Sequence, residues 1–141
     1  MTDTTEPKTE PKTVLVSRDE MLAKSIKRRY TMAVLPDWLA ERTGYPIGSA
    51  FRLQSLTESE RTECELYAYD DDGEFQMERR KLGKAKWIVA SQVNAESLRE
   101  WSDEQIDTVS SLDSGLVSWL VDQVHAHCAV TEADIEALKK D

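Results

Sequence analysis

The chain contains little cysteine and glycine and no long apolar run. Only two of its 141 residues are Cys and five are Gly. Two Cys are too few for the disulfide framework of a small secreted domain. Five Gly leave little material for a glycine-built phosphate loop. No stretch reaches the roughly 18 apolar residues of a membrane span, and residues 1–8 lack the apolar segment of a secretory signal. We therefore expect an intracellular protein without a membrane partner.

The composition predicts one globular domain with a tail. Hydrophobic residues make up 40% and charged residues 32% of the chain, which suffices for a single modest core. Residues 1–13 contain the direct repeat Thr-Glu-Pro-Lys at 5–8 and 9–12. This segment has too few large apolar residues to offset the entropy of ordering. We predict a disordered tail over residues 1–13 and one domain over 14–141.

Acidic charge is concentrated in the C-terminal third. Residues 1–86 carry 15 basic and 16 acidic residues, whereas residues 87–141 carry 3 and 11, a net charge of −8. An acidic surface repels phosphate backbones, so no nucleic-acid partner is expected. Solvated helix faces explain such charge most simply. A docking face for a basic partner, or a mimic of DNA that inhibits a DNA-binding protein, remains an alternative.

The hydrophobic pattern predicts a mostly helical α+β fold. A short apolar, partly β-branched segment at 30–35 and an alternating segment at 49–56 predict a small two-stranded antiparallel element. Capping boxes that begin at Ser17, Thr57 and Ser102 predict three helix starts. The helix that follows Thr57 is expected to reach about Tyr69, with Cys64, Tyr67 and Ala68 on its apolar side. A further apolar stripe runs from Phe75 to Val93, and the chain's strongest amphipathic pattern spans residues 116–128. About six short helices, including a last one after residue 131, are expected to pack around the strands.

No pattern in the sequence indicates a metal site or an active site. His125 and His127 lie two residues apart, which places them about 200° apart on a helix, so they cannot chelate one ion together. The acidic run 70–73 resembles a calcium loop but lacks carboxylates at both ends of the loop. Cys64 and Cys128 fall on apolar stripes, where thiols are unreactive. We predict no metal, no cofactor and no enzymatic activity.

The densest basic segment lies between residues 79 and 87. Arg79, Arg80 and Lys81 are followed closely by Lys84, Lys86 and Trp87. Glu74 and Glu78 stand at distances that allow helical ion pairs with them. The segment is therefore interpreted as a mixed-charge exposed face, with a docking face for an acidic partner as the alternative.

Two segments resemble the tail assembly chaperones of long-tailed bacteriophages. Residues 51–61 are similar to that family's strand-to-helix junction, in which an Arg-bearing strand (here with Arg52) precedes Leu-Thr/Ser-x-x-Glu-Arg. Residues 101–106, 112–114 and 131–140 are similar to its ending, where an acidic helix follows a longer apolar one. Trp38 matches an aromatic residue after the first strand.

The resemblance implies a non-enzymatic assembly factor in the host cytoplasm. Family members bind the helical tape-measure protein, help the tail-tube protein to polymerise around it, and are absent from the mature virion. A homo-oligomer is compatible with this role. A partner helix would need an apolar groove, for which Trp87, Trp119 and Val121 are candidate residues; an ordinary core position is the alternative for each. Besides the DNA mimic, a small adaptor subunit of a cellular complex remains open.

Overall fold

The computed structural model describes residues 13–25 and 28–128, and over these it is a mostly helical α+β fold. The predicted fold class is thereby confirmed. The expected tail up to residue 12 and the expected last helix after residue 131 lie outside the described residues. The described elements, in chain order, are α1 (Arg18–Ser25), β1 (Tyr30–Val34), α2 (Asp37–Thr43), β2 (Ala50–Gln54), α3 (Glu58–Glu65), α4 (Met77–Lys81), α5 (Gly83–Ser91), β3 (Gln92–Val93), α6 (Ile106–Ser110) and α7 (Ser114–Cys128).

The antiparallel sheet has three strands in the order β1-β2-β3. The two predicted strands pair as expected, with Met32 opposite Arg52. The third strand corrects the prediction of a two-stranded element and of a helix reaching Val93. The α5 helix ends at Ser91, and Val93 pairs with Arg52 of β2. Gln54 donates from Nε2 to the Ala90 carbonyl at 2.9 Å, so a buried side chain of β2 satisfies an end carbonyl of the helix.

The core lies between the sheet and helices α5, α6 and α7. Val89, Val109 and Val124 are fully buried, one from each of these helices. Ala33 and Leu53 on the inner sheet face pack against Val124. The apolar stripe of α7 therefore serves as the central packing surface of the domain.

All three predicted capping boxes form. Ser17 and Glu20 cap α1, Thr57 and Glu60 cap α3, and Ser102 with Gln105 caps a short 3-10 turn before α6. The α3 helix ends at Glu65, four residues before its predicted end. The single helix predicted after Phe75 is divided into α4 and α5, which meet at Leu82 just before Gly83. Glycine in a helix interior is costly, which explains why the division falls there.

Candidate partner-binding surface

The three predicted groove residues lie together in the core. Val121 is only 4% exposed, and Trp87 and Trp119 pack, partly buried, against the same cluster. The Trp87 ring lies edge-on to His125 at 4.6 Å, and the Trp119 ring lies 6.1 Å from Phe51. Val121 thus offers almost no surface to a partner. Contact of the two tryptophans with a partner stays a prediction.

An open groove lies instead between α3 and the α4–α5 segment. Its volume is about 510 Å³. We call it the α3 groove, and its lining residues are Ser59, Thr62, Glu63, Leu66, Tyr67, Tyr69, Asp71, Arg79 and Lys86. Leu66 is 54% exposed and Tyr69 is 45% exposed. The groove therefore presents apolar and aromatic side chains to solvent.

Two cations stand over one aromatic ring in this groove. Arg79 Cζ lies 5.5 Å and Lys86 Nζ 5.7 Å from the centre of the Tyr67 ring. Arg79 also donates from Nη1 to the Tyr69 carbonyl at 3.1 Å. Such cation–π contacts hold the charged groups near the apolar surface. The groove thus places two cations beside its apolar surface, together with the carboxylates of Glu63 and Asp71.

The acidic run at residues 70–73 forms a turn beside the groove, and its Asp71 is a lining residue. Asp70 Oδ1 accepts hydrogen bonds from the backbone N–H groups of Asp72 and Glu74, both at 2.9 Å. The hydrogen bond from the Glu74 N–H is the main cause that lowers the pKa of Asp70. Gly73 adopts a φ of 80°, in the left-handed region that glycine enters freely. The turn brings Phe75 back to Tyr69, with ring centres 5.8 Å apart.

The basic segment is only partly neutralised within the described chain. Lys81 pairs with Glu78 at 3.8 Å. Lys84 donates to the Ser118 hydroxyl at 3.0 Å, which links α5 to α7. Arg80 lies exposed on α4. The Lys81–Glu78 ion pair agrees with the interpretation as a mixed-charge face. The charges of Lys84 and Arg80 are not neutralised by a described carboxylate, as a docking face for an acidic partner would require.

The two histidines near the end of α7 contact separate neighbours, and the two thiols lie on different helices, α3 and α7. His127 Nε2 contacts the Arg29 carbonyl at 3.0 Å, while His125 packs against Trp87. Burial is the main cause that raises the pKa of both thiols. It raises the pKa of Cys64 to about 11. Both thiols are therefore protonated, and poorly nucleophilic, at neutral pH. Over residues 13–25 and 28–128, no group of three or more His, Cys, Asp or Glu side chains is placed to hold a metal ion.

The sequence does not predict the α3 groove. It places Tyr67 on the apolar side of a predicted helix, and no motif marks Leu66. The groove exists because α3 ends early and the Asp70 turn reverses the chain. The four-residue run Asp-Asp-Asp-Gly is a turn signal that could have located this reversal.

Comparison with solved structures gives a weak structural resemblance. No protein-family model and no curated protein matches the chain. Among solved structures, that of the bacteriophage HK97 tail assembly chaperone is similar, with a TM-score of 0.49 and 14% sequence identity. The match covers 76% of this chain and 92% of the phage chain. Among the helices that the structure describes, none combines the length and apolar character needed to cross a membrane.

Proposed function

We propose that this protein is a non-enzymatic phage tail assembly chaperone. It binds a helical segment of the tape-measure protein in the α3 groove and promotes assembly of the tail-tube protein in the host cytoplasm. It leaves before the virion is mature. The exposed apolar and aromatic lining of the α3 groove is the observation that carries this proposal.

The groove has the chemistry that recognises an amphipathic helix. A partner helix places apolar side chains along one face, and these would cover Leu66 and Tyr69. Full burial of a large apolar side chain contributes about 1.5–3 kcal/mol. Arg79 and Lys86 would meet carboxylates on the partner.

The segment that resembles the chaperone family leads into the helix that lines this groove, and its Ser59 is one of the lining residues. Residues 51–61 fold as β2 followed by the capped start of α3. Thr57 accepts a hydrogen bond from the Glu60 N–H at 3.2 Å, and Glu60 accepts one from the Thr57 N–H at 2.8 Å. The capping box fixes where α3 begins, and hence where the groove residues stand. The resemblance and the groove thus support the same function.

The test is affinity purification of the tagged full chain from the cells that make it. Retained proteins are identified by mass spectrometry. The variant carries Leu66→Ser and Tyr69→Ser together. The matched control is Leu98→Ser, since Leu98 is 64% exposed and lies outside the groove. We expect the wild type and the control to retain a long coiled-coil-rich protein with a tail-tube subunit.

The groove variant should retain at least about 10-fold less of the long helical protein, since two apolar contacts are lost. Equal retention by the variant and the control would refute the role of the groove. Recovery of a DNA-binding enzyme or repressor would favour the DNA-mimic alternative. Recovery of a cellular complex would favour the adaptor alternative.

A further inference from the structure

A cationic pocket lies where the beginnings of α5 and α7 meet the end of α6. Its volume is about 140 Å³. We call it the α5–α7 pocket, and its lining residues are Lys81, Lys84, Ala85, Ser110, Leu112, Ser114, Val117 and Ser118. The lining combines two lysines and three serines with three apolar residues, and it includes no carboxylate. Such a lining favours an anion.

A hydrogen bond holds the Lys84 ammonium at this pocket. Lys84 Nζ donates to Ser118 Oγ at 3.0 Å. Among the ion pairs of the described residues, none includes Lys84. An ammonium has three donors, so two remain for a ligand. Because the Ser118 oxygen accepts this bond, the Ser118 hydroxyl hydrogen is also available to a ligand.

Ser114 supplies a second hydroxyl on the same side of α7. Ser114 and Ser118 are four residues apart in the helix, so their side chains share one face. Within residues 13–25 and 28–128, the Ser114 hydroxyl makes no hydrogen bond. The Ser110 hydroxyl, in contrast, donates to the Asp107 carbonyl at 2.9 Å. Two of the three serines can therefore donate to a ligand together with Lys84.

The nearby carboxylates leave about one positive charge at the pocket. Asp113 accepts two backbone N–H groups at the start of α7, at 2.8 and 3.1 Å, and lies 3.6 Å from Arg42 Nε, so it is engaged elsewhere. Glu78 pairs with Lys81 at 3.8 Å. With Lys84, these three side chains carry one net positive charge. That charge matches a single carboxylate more closely than a phosphate dianion.

The floor of the pocket is apolar and its mouth continues into a basic helix. Ala85 is 1% and Val117 is 8% exposed, and Leu112 is 37% exposed. The methylene groups of a glutamate side chain would cover this floor, whereas an inorganic anion would not. Lys81 is shared with α4, which has three basic residues and one acidic residue. The charge of α4 therefore favours an acidic protein segment as the source of the glutamate.

We propose that the α5–α7 pocket takes the glutamate side chain of an acidic segment of another protein. Lys84 and the hydroxyls of Ser114 and Ser118 donate to its carboxylate, and its methylene groups lie on Ala85 and Val117. The remainder of the acidic segment lies along α4. The pocket is independent of the α3 groove, because the two share no lining residue.

The probe is a capped synthetic peptide, Gly-Ser-Glu-Ser-Gly, added to the full chain labelled with ¹⁵N. Ionic strength is held constant, since salt screens exposed charges. We expect saturable shifts of the Ala85, Ser114 and Ser118 amide signals. A peptide with Gln in place of Glu should bind at least about 10-fold more weakly, because it loses a charge-assisted hydrogen bond. A peptide with Asp should bind about 4-fold more weakly, since it buries one methylene fewer.

Variants of the protein test the same contacts from the other side. Lys84→Met removes the ammonium and keeps a long apolar side chain, so it should weaken binding of the Glu peptide at least about 10-fold. Ser114→Ala and Ser118→Ala together should also weaken it. The matched control is Arg80→Met, because Arg80 is an exposed cation that does not line the pocket. It should change the affinity by less than about 2-fold.

Four results would overturn the proposal. The first is equal binding of the Glu and Gln peptides by the wild type. The second is equal weakening by Lys84→Met and Arg80→Met, since general attraction between charges would then explain the binding. The third is inorganic phosphate that shifts the same amide signals at lower concentration than the Glu peptide. The fourth is self-association in sedimentation that Lys84→Met abolishes, since a second copy would then occupy the pocket.

The two proposals fail separately. The Leu66→Ser, Tyr69→Ser variant should bind the Glu peptide normally, because its substitutions lie outside the α5–α7 pocket. Loss of the long helical protein by that variant tests the groove alone, and loss of the Glu peptide by Lys84→Met tests the pocket alone.

Discussion

The ion pair between Arg28 and Glu60 ties the chain before β1 to the first turn of α3. Arg28 Nη1 and Nη2 donate to the two carboxylate oxygens of Glu60, each at 2.7 Å. Arg28 Nη1 also donates to the Ser55 carbonyl at 2.8 Å. The Arg28 and Glu60 side chains are 30% and 33% exposed. The pair therefore stabilises a junction between the sheet and the α3 groove.

The Arg28 hydrogen bonds are the main cause that lowers the pKa of Glu60 from 4.5 to about 2. One pKa unit corresponds to about 1.4 kcal/mol, so the full shift corresponds to about 3 kcal/mol. Solvent screens a pair that is one-third exposed, and we expect a net contribution of about 1–2 kcal/mol. Because the folded-state pKa is the lower one, this stability is present above pH 4.5 and is lost as the pH falls toward 2.

A double-mutant cycle measures this contribution. Urea unfolding is compared for the wild type, Arg28→Met, Glu60→Gln and the double variant at about pH 7 and about pH 3. We expect a coupling energy of about 1–2 kcal/mol at neutral pH. It should fall by more than half at the lower pH, where Glu60 is largely protonated in the unfolded chain. A coupling energy that is near zero at pH 7, or equal at both pH values, would refute this reasoning.

Three further perturbations have defined outcomes. Leu39→Ala should lower the free energy of unfolding by about 2–5 kcal/mol in urea titrations, because Leu39 is fully buried; a loss below about 1 kcal/mol would contradict its core position. Ser97 has a φ of 68°, so Ser97→Gly should be about 1 kcal/mol more stable than Ser97→Ala in thermal unfolding; both variants lack the hydrogen bond that Arg52 Nη1 donates to the Ser97 hydroxyl. Burial is the main cause that lowers the pKa of His125. NMR titration should therefore give a His125 pKa below 6.5, and the free energy of unfolding should fall as the pH drops below 6.5. A His125 pKa above 6.5 would exclude this contribution.

Local chemistry made the helix starts and two strands predictable. A capping box needs only a short polar side chain and a glutamate or glutamine three residues later, and all three predicted boxes form. Strand β1 alternates between exposed and more buried residues along the chain, and β2 buries Leu53 and Gln54 at its end. Strand β3 has only two residues, and its position depends on pairing with Arg52 and Leu53, some 40 residues earlier. A pairing at that distance leaves no periodic trace in the sequence.

Helix ends were less predictable than helix starts for a related reason. Val93 continues the spacing of the apolar stripe that includes Val89, so periodicity places it in the helix. Val93 is buried equally well in strand β3, where its side chain is only 2% exposed. The sheet decides between the two, since Gln54 bonds to the Ala90 carbonyl near the end of α5. A side chain from a distant element thus sets the boundary.

Hydrophobic periodicity also directs a search for binding residues toward the core. The periodic stripe of α7 singled out Val121, and the same stripe is what the fold buries. Leu66 and Tyr69 lie beyond the end of α3, where no helical period continues. They stay exposed because the Asp70 turn fixes the backbone without covering them. Apolar residues next to a turn signal are consequently a better sequence guide to an open groove than the strongest amphipathic helix.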